Sequence, residues 1–298
     1  MDIAVKNRQT VKRLKELTLL DRFLFAETME DKRNLQLILS IILGKELELK
    51  GQPQVEKELR TAPWLRSIRL DVYTTDEERR VYSTEVQKIN TGNLVKRSRF
   101  YQALIDGSLL MPGEIDFNEM QPSYLISIMP FDLWGYGRYK YTFRMTCQEQ
   151  EGLLLEDGAS RIFLNTHGTN GEGVGTELIE LLHYMEHTTD QAASHSTSQR
   201  IKELHGRVSQ LKASEEIGVK YMQEWEERIY LQQEARAEGE SVKLIGQVRK
   251  KAAKGITAET CADMLEEEVY LIEKIYDMIK ANPDWDDTRI YETLKVSR

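Results

Sequence analysis

At residue 68 the side chains begin to repeat every second position, a period that an extended chain satisfies and a helix does not. Ile68, Leu70 and Val72 fall on one face, and Arg69, Asp71 and Tyr73 on the other. Thr75 to Arg79 is a polar turn, and Val81 to Gln87 reads as a second strand. The segment predicts a β-hairpin, although its turn lacks the Asn-Gly or Asp-Gly pair that marks the tightest hairpins. Strands paired side by side can set Asp71 opposite Glu85. Glu85 and Gln87, two residues apart, project from one face. Three oxygen-bearing side chains then converge, and hard divalent cations take such donors. Mg²⁺ binds one or two carboxylates, keeps several waters and is completed by phosphate. A cation held there activates a water and stabilises the departing oxygen of a phosphodiester. An Asp and a Glu on a hairpin are equally the ordinary make-up of a solvated face, so spacing alone does not choose between the two.

The segments around the hairpin alternate helix and strand. Leu14, Leu17 and Leu20 have helical spacing, and Asp21 is placed to cap a helix. The apolar positions of that helix, Phe25, Met29, Leu35, Ile38, Leu39, Ile42 and Leu43, recur up to a C-capping Gly44. Residues 45–66 are irregular, broken by Gly51, Pro53 and Pro63. Residues 94–110 predict a helix. Tyr124–Met129 predicts a strand covered on both faces, and Tyr139–Cys147 and Arg161–Asn165 predict further strands. After about residue 174 the strands stop. Leu178–His187 is helical, Thr188–Gln199 reads as a linker, and Ile201, Leu204, Val208 and Leu211 form a short heptad. A charged helix, Tyr221–Ala237, is expected to break at Gly239. Thr257 would cap the next helix, and 268–281 and 284–296 complete the chain. The expected organisation is an α/β core over residues 10–188 and an α-helical region over 200–298 serving interaction or oligomerisation.

Charge and cysteine usage limit the function classes. The net charge is −8, but residues 1–150 hold 23 Lys and Arg against 21 Asp and Glu, and the remainder 18 against 28. Nucleic acid, if bound, meets a local basic patch on the first half rather than a basic surface overall. Cys147 and Cys261 form neither a disulfide framework nor a zinc set, and Cys147 is expected to be buried in a strand. No apolar run approaches the roughly 20 residues needed to span a bilayer. The opening residues lack the apolar core of a signal peptide, so a cytoplasmic protein without membrane contact is expected.

The fragment Leu70-Asp71-Val72 … Thr84-Glu85-Val86-Gln87 resembles the Asp … Glu-x-Lys core of PD-(D/E)XK nucleases, with Gln in place of Lys. Other segments resemble, in order, the Rpn family of recombination-promoting nucleases, or PD-(D/E)XK nuclease family transposases. These are Asp21–Phe25 with Ile38–Gly44, Lys96–Ala103, Tyr124–Met129 leading to Asp132, Asp157-Gly158, Ile162–Thr166, Glu224–Arg228, Glu238–Glu240 and Lys254–Thr257. The resemblance covers nearly the whole chain. It implies a restriction-endonuclease-like α/β core, a mixed central sheet with the hairpin at its centre and helices on both sides, followed by the α-helical C-terminal region. It also implies a Mg²⁺-dependent DNA endonuclease associated with transposition or recombination, with Mn²⁺ as a possible substitute. By the same resemblance Asp71 and Glu85 bind the metal, Gln87 stands where the lysine orients the attacking water, and Glu27 adds a carboxylate. The resemblance also implies contacts from Arg97, Arg99 and Tyr101 to the DNA backbone.

Two rivals stand beside this reading: a non-catalytic DNA-binding or oligomeric scaffold that keeps the fold, and a nuclease directed at RNA. The C-terminal helices are expected to make a homo-oligomer. His183 and His187 have i, i+4 spacing, but no third ligand is placed, so a zinc site is not expected. The 257–281 segment has the outline of a helix-turn-helix, but Glu266, Glu267 and Glu268 would repel phosphate.

Overall fold

The computed structural model describes residues 11–60, 66–110 and 113–296. Pro63, residue 10 of the expected core and residues 297–298 of the expected helical region lie outside these. The chain divides into two compact units, Met1–Gly218 and Val219–Arg298.

The first unit is built on a six-stranded mixed sheet. Its strands are β1 (Leu49–Leu59), β2 (Ile68–Asp76), β3 (Val81–Val86), β4 (Ser123–Met129), β5 (Lys140–Phe143) and β6 (Ala159–Asn165), in the order β1-β2-β3-β4-β6-β5. β2 pairs antiparallel with both β1 and β3, β3, β4 and β6 run parallel, and β5 returns antiparallel at the far edge. β4 is buried along nearly its whole length, as expected of a strand covered on both faces. The hairpin turn is organised by the buried carboxylate of Asp76, which accepts from the Arg80 amide at 2.9 Å, Arg80 Nε at 2.6 Å and the Tyr82 hydroxyl at 2.9 Å. Local side-chain bonds thus take the place of the missing Asn-Gly turn.

The segment 21–43, expected as one helix, is two: α1 (Arg22–Met29) and α2 (Lys32–Leu43). Asp31 accepts from the Asn34 amide and starts the second helix, while Asn34 Nδ2 donates to the Thr28 carbonyl at the end of the first. Gly44 closes α2 in the left-handed conformation at φ 67°, as a C-capping glycine does. Asp21 precedes α1 but makes no side-chain cap bond. Within the irregular stretch after Gly44 lies the long edge strand β1, Leu49–Leu59. Its charged residues, Gly51 and Pro53 suit a solvated edge and hide the strand pattern.

Between β3 and β4 the chain crosses over through α3 (Leu94–Asp106). Leu94 packs with Met129 and Phe163, and Leu104 and Ile105 pack with Tyr73, Val81 and Leu125. This helix covers the sheet face that carries Asp71 and Glu85. After β6 come α4 (Thr176–Glu186), α5 (Asp190–His195), α6 (Gln199–Ala213) and α7 (Glu215–Ala252).

The break expected at 188–199 is not where the units divide. Thr189 caps α5, Ser198 caps α6, and Glu180 accepts from Ser196, Thr197 and Ser198. The heptad residues Ile201, Leu204 and Val208 are fully buried, with α6 packed against α1, α2 and α5. Arg207 bonds Asp31 and Asn34, and Arg33 pairs with Glu203 at 2.7 Å. That apolar stripe serves the first unit's core and not a coiled coil.

Helix α7 runs without a break through Gly239; a single glycine weakens a helix by only about 1 kcal/mol. In the second unit its last turns pack with α8 (Ala258–Leu265), α9 (Val269–Ala281) and α10 (Asp287–Val296) around Ile245, Val248, Cys261, Ile272, Ile275 and Ile290. Thr257 caps α8 through the Thr260 amide. No helix among the described residues is long and apolar enough to cross a membrane.

Candidate metal and phosphodiester site

The antiparallel ladder between β2 and β3 runs from Thr75–Val81 to Val72–Thr84. The next pair in that register is Asp71 and Glu85. Here the Asp71 carboxylate itself accepts the Val86 amide at 3.2 Å, a bond that a strand carbonyl would otherwise receive. Beyond it β3 stays with β4, the Gln87 amide donating to the Ile128 carbonyl at 2.8 Å. The two strands therefore part where the carboxylates stand, at the carboxyl end of the parallel strand β3. Crevices of this kind are where open α/β sheets bind ligands.

Both carboxylates are sequestered. Glu85 is 6% exposed, and its Oε1 is buried with no hydrogen-bond partner. Burial, and then the charge of Asp71, push the Glu85 carboxyl up to about 8; Arg97 and Arg22 offset only part of this. Burial raises Asp71 as well, against the opposing pull of Arg22 and of the Val86 amide. Two acids that resist ionising side by side have an unmet demand for positive charge.

Arginines meet part of it. Arg22, the first residue of α1, has its Nε 3.3 Å from Asp71. Arg97 comes from α3: its guanidinium lies 3.8 Å from Glu85 and donates to Gln87 Oε1 at 2.5 Å. Gln87 Nε2 donates to the Ile89 carbonyl at 2.7 Å, so both ends of the amide are fixed.

The structure brings Asp71, Glu85, Gln87 and Arg97 together. It does not group Glu27 or Arg99 with them. Glu27 is buried on α1, but among the described residues no three His, Cys, Asp or Glu side chains stand close enough to hold a metal. Arg99 projects from the exposed side of α3. Tyr101 is half-buried beside the α3 core contacts, its ring 5.7 Å from the Arg97 guanidinium. The expected three-residue strip for DNA backbone is thus split: Arg97 and Tyr101 turn toward the carboxylates and Arg99 toward solvent.

Three nearby charges were not assigned from sequence. These are Arg22; Glu56, which Arg22 also contacts at 3.1 Å; and Lys88, which reaches Asp21 at 2.5 Å. Burial raises the Asp21 carboxyl, but the bonds from Lys88 and from the Thr18 amide outweigh it and hold the group below its usual range. Lys88 follows Gln87 directly, past the end of β3 at Val86, and Asp21 holds its ammonium. His183 and His187 rest ring against ring with centroids 4.9 Å apart. Cys147 is half-buried in a loop beyond β5, not in a strand, because β5 ends at Phe143; its thiol donates to Glu149 at 3.3 Å.

The donor set fits a hard divalent cation. Two carboxylates converge, one of their oxygens has no partner, and Mg²⁺ needs no more protein ligands than these. No curated protein and no solved structure matches the chain. One protein family does: over residues 12–242 the sequence matches the family described as PD-(D/E)XK nuclease family transposase. With its mixed sheet, flanking helices and Asp71/Glu85 hairpin, the chain belongs to the PD-(D/E)XK nuclease family transposases.

Proposed function

We propose that this protein is a metal-dependent DNA endonuclease that hydrolyses phosphodiester bonds in transposition or recombination, with Mg²⁺ or Mn²⁺ held by Asp71 and Glu85. One observation carries the reading: Glu85 is buried, lacks a partner for one oxygen, and is pressed against a second carboxylate. A pair so placed is destabilising unless a cation joins it. A bound Mg²⁺ would supply Lewis-acid polarisation of the phosphate and a more acidic water.

The protein's own groups do the positioning. Asp71 and Glu85 would hold the cation, which requires Glu85 in its deprotonated form. Gln87 has a free amide hydrogen and a free lone pair beyond its bonds to Ile89 and Arg97, with which it orients the attacking water. It lacks the charge of a lysine, and Arg97 stands beside it as the nearest cation. Arg97 Nε, buried without a partner, is a donor for substrate phosphate. Glu27 is proposed as a further metal contact only through the waters such a cation keeps. Arg99 contacts DNA backbone from the exposed side of α3.

A scaffold reading draws on a different observation. Arg22 and Arg97 already stand against the two carboxylates, as they would in a protein that binds DNA without cutting it. A labelled duplex and an RNA of the same sequence, each incubated with Mg²⁺ and with chelator, separate the readings. Metal-dependent cleavage of the duplex is expected. Binding unaffected by metal, with no cleavage, favours the scaffold, and cleavage of RNA alone reassigns the substrate. We also propose self-association through α7, where Met222, Tyr230 and Leu231 are exposed.

A further inference from the structure

We propose that Arg22 is a cationic latch on the carboxylate pair, and that Glu56 is the positioning residue to which this guanidinium retires when a divalent cation takes Asp71. The inference rests on the metal-site reading above and adds how the site is kept when no metal is bound.

The geometry is specific. Val55–Val72 and Lys57–Leu70 are paired across β1 and β2, so Glu56 stands directly beside Asp71 in the neighbouring strand. Arg22 spans the two, with Nη2 3.1 Å from Glu56 and Nε 3.3 Å from Asp71. Different nitrogens of one planar guanidinium serve the two acids, so one contact can be released while the other holds. Asp71 is the buried partner; Glu56 and Arg22 are about half exposed. Arg22 therefore moves toward solvent when it leaves Asp71, and Glu56 keeps it near the crevice.

The backbone at Glu56 is unusual in a way that supports a placed role. Its φ is 52°, the left-handed region, in the middle of a strand. A β-strand residue other than glycine gains nothing locally from that conformation, and such strain persists where a side chain must be aimed. The Glu56 carboxylate also meets Arg69 at 3.6 Å, which steadies it from the far side. Retained on Glu56, Arg22 keeps its remaining donors beside the point where a substrate phosphate completes the cation's shell.

The latch makes Arg22 a competitor of the metal and Glu56 a helper that acts only through Arg22. Mn²⁺ binding, read from the free Mn²⁺ signal in electron paramagnetic resonance, tests this without any cleavage. Arg22→Gln is expected to bind Mn²⁺ about five- to tenfold more tightly than wild type while binding DNA more weakly. Glu56→Gln is expected to bind Mn²⁺ several-fold more weakly. In the double variant the Glu56 effect should vanish, whereas a general charge effect of Glu56 would persist and overturn its assigned role. Mn²⁺ binding by Arg22→Gln but not by wild type supports a tighter latch. Equal affinities in wild type and Arg22→Gln overturn the latch and leave the metal site standing. No binding by any of the folded proteins, checked by circular dichroism, overturns the metal site and the latch together.

Discussion

Replacing Glu85 with Gln should make the metal-free protein more stable at alkaline pH, and the effect can be sized from the structure. Burial beside Asp71 takes the Glu85 carboxyl from 4.5 to about 8. The folded chain therefore keeps a proton between those values that the unfolded chain has lost. Stability from this group is fully present below pH 4.5 and is lost as pH rises through about 8. The full loss corresponds to roughly 4–5 kcal/mol between pH 4.5 and 9. For a unit of about two hundred residues that is a melting-point difference on the order of 10 °C. The assay is thermal unfolding of wild type and Glu85→Gln in chelator, at intervals from pH 5 to pH 9. The wild-type curve should fall relative to the variant as pH rises, since Gln carries no proton to lose. Asp71 titrates with Glu85 as a pair, so the difference between the two proteins is the quantity to follow. Saturating Mg²⁺ should flatten the wild-type decline and leave Glu85→Gln unmoved. Parallel curves for the two proteins in chelator would refute the reasoning, because they would mean that Glu85 is ionised in the folded state at no cost.

Other substitutions probe the surroundings. Gln87→Ala should lower the cleavage rate by about 10- to 100-fold while changing DNA affinity little, measured by single-turnover cleavage beside a binding titration. Asp76→Ala removes the shared acceptor of Arg80 and Tyr82, and should lower stability by about 3 kcal/mol in urea unfolding. Leu204→Ala should cost the first unit about 2–4 kcal/mol, because α6 belongs to its core; an unchanged urea midpoint would mean that α6 merely rests on the surface.

The hairpin was legible because Ile68 to Tyr73 alternates with a period of two before a polar turn and a second apolar run, and the core needs its apolar face. The period puts Glu85 and Gln87 on one face, while the meeting of Asp71 with Glu85 comes from the β2–β3 register. The edge strand β1 was hidden, since an edge in water carries charge where a buried strand carries Val and Ile. The short stripe Ile201–Val208 reads alike as a coiled-coil seam and as a helix packed on a domain, and only the contacts of α6 choose. Arg22 was inside a matched segment, but its role depends on where α1 starts relative to β2, a tertiary fact with no local signal. The same holds for Arg97, whose side of α3 is set by the packing of Leu94 and Leu104. Glu27 has the residue type and the helix expected of a third acid; its place among the carboxylates did not follow from either.

The central claim is that Asp71 and Glu85 form the metal site of a phosphodiesterase, and cleavage of supercoiled plasmid DNA tests it most directly. Wild type, Asp71→Ala and Glu85→Ala would each be incubated with Mg²⁺, with Mn²⁺ and with chelator. The account predicts nicking or linearisation by wild type in either metal, none in chelator, and none by either folded variant. Cleavage that survives in both variants, or a folded wild type that leaves the plasmid intact in both metals, would contradict it.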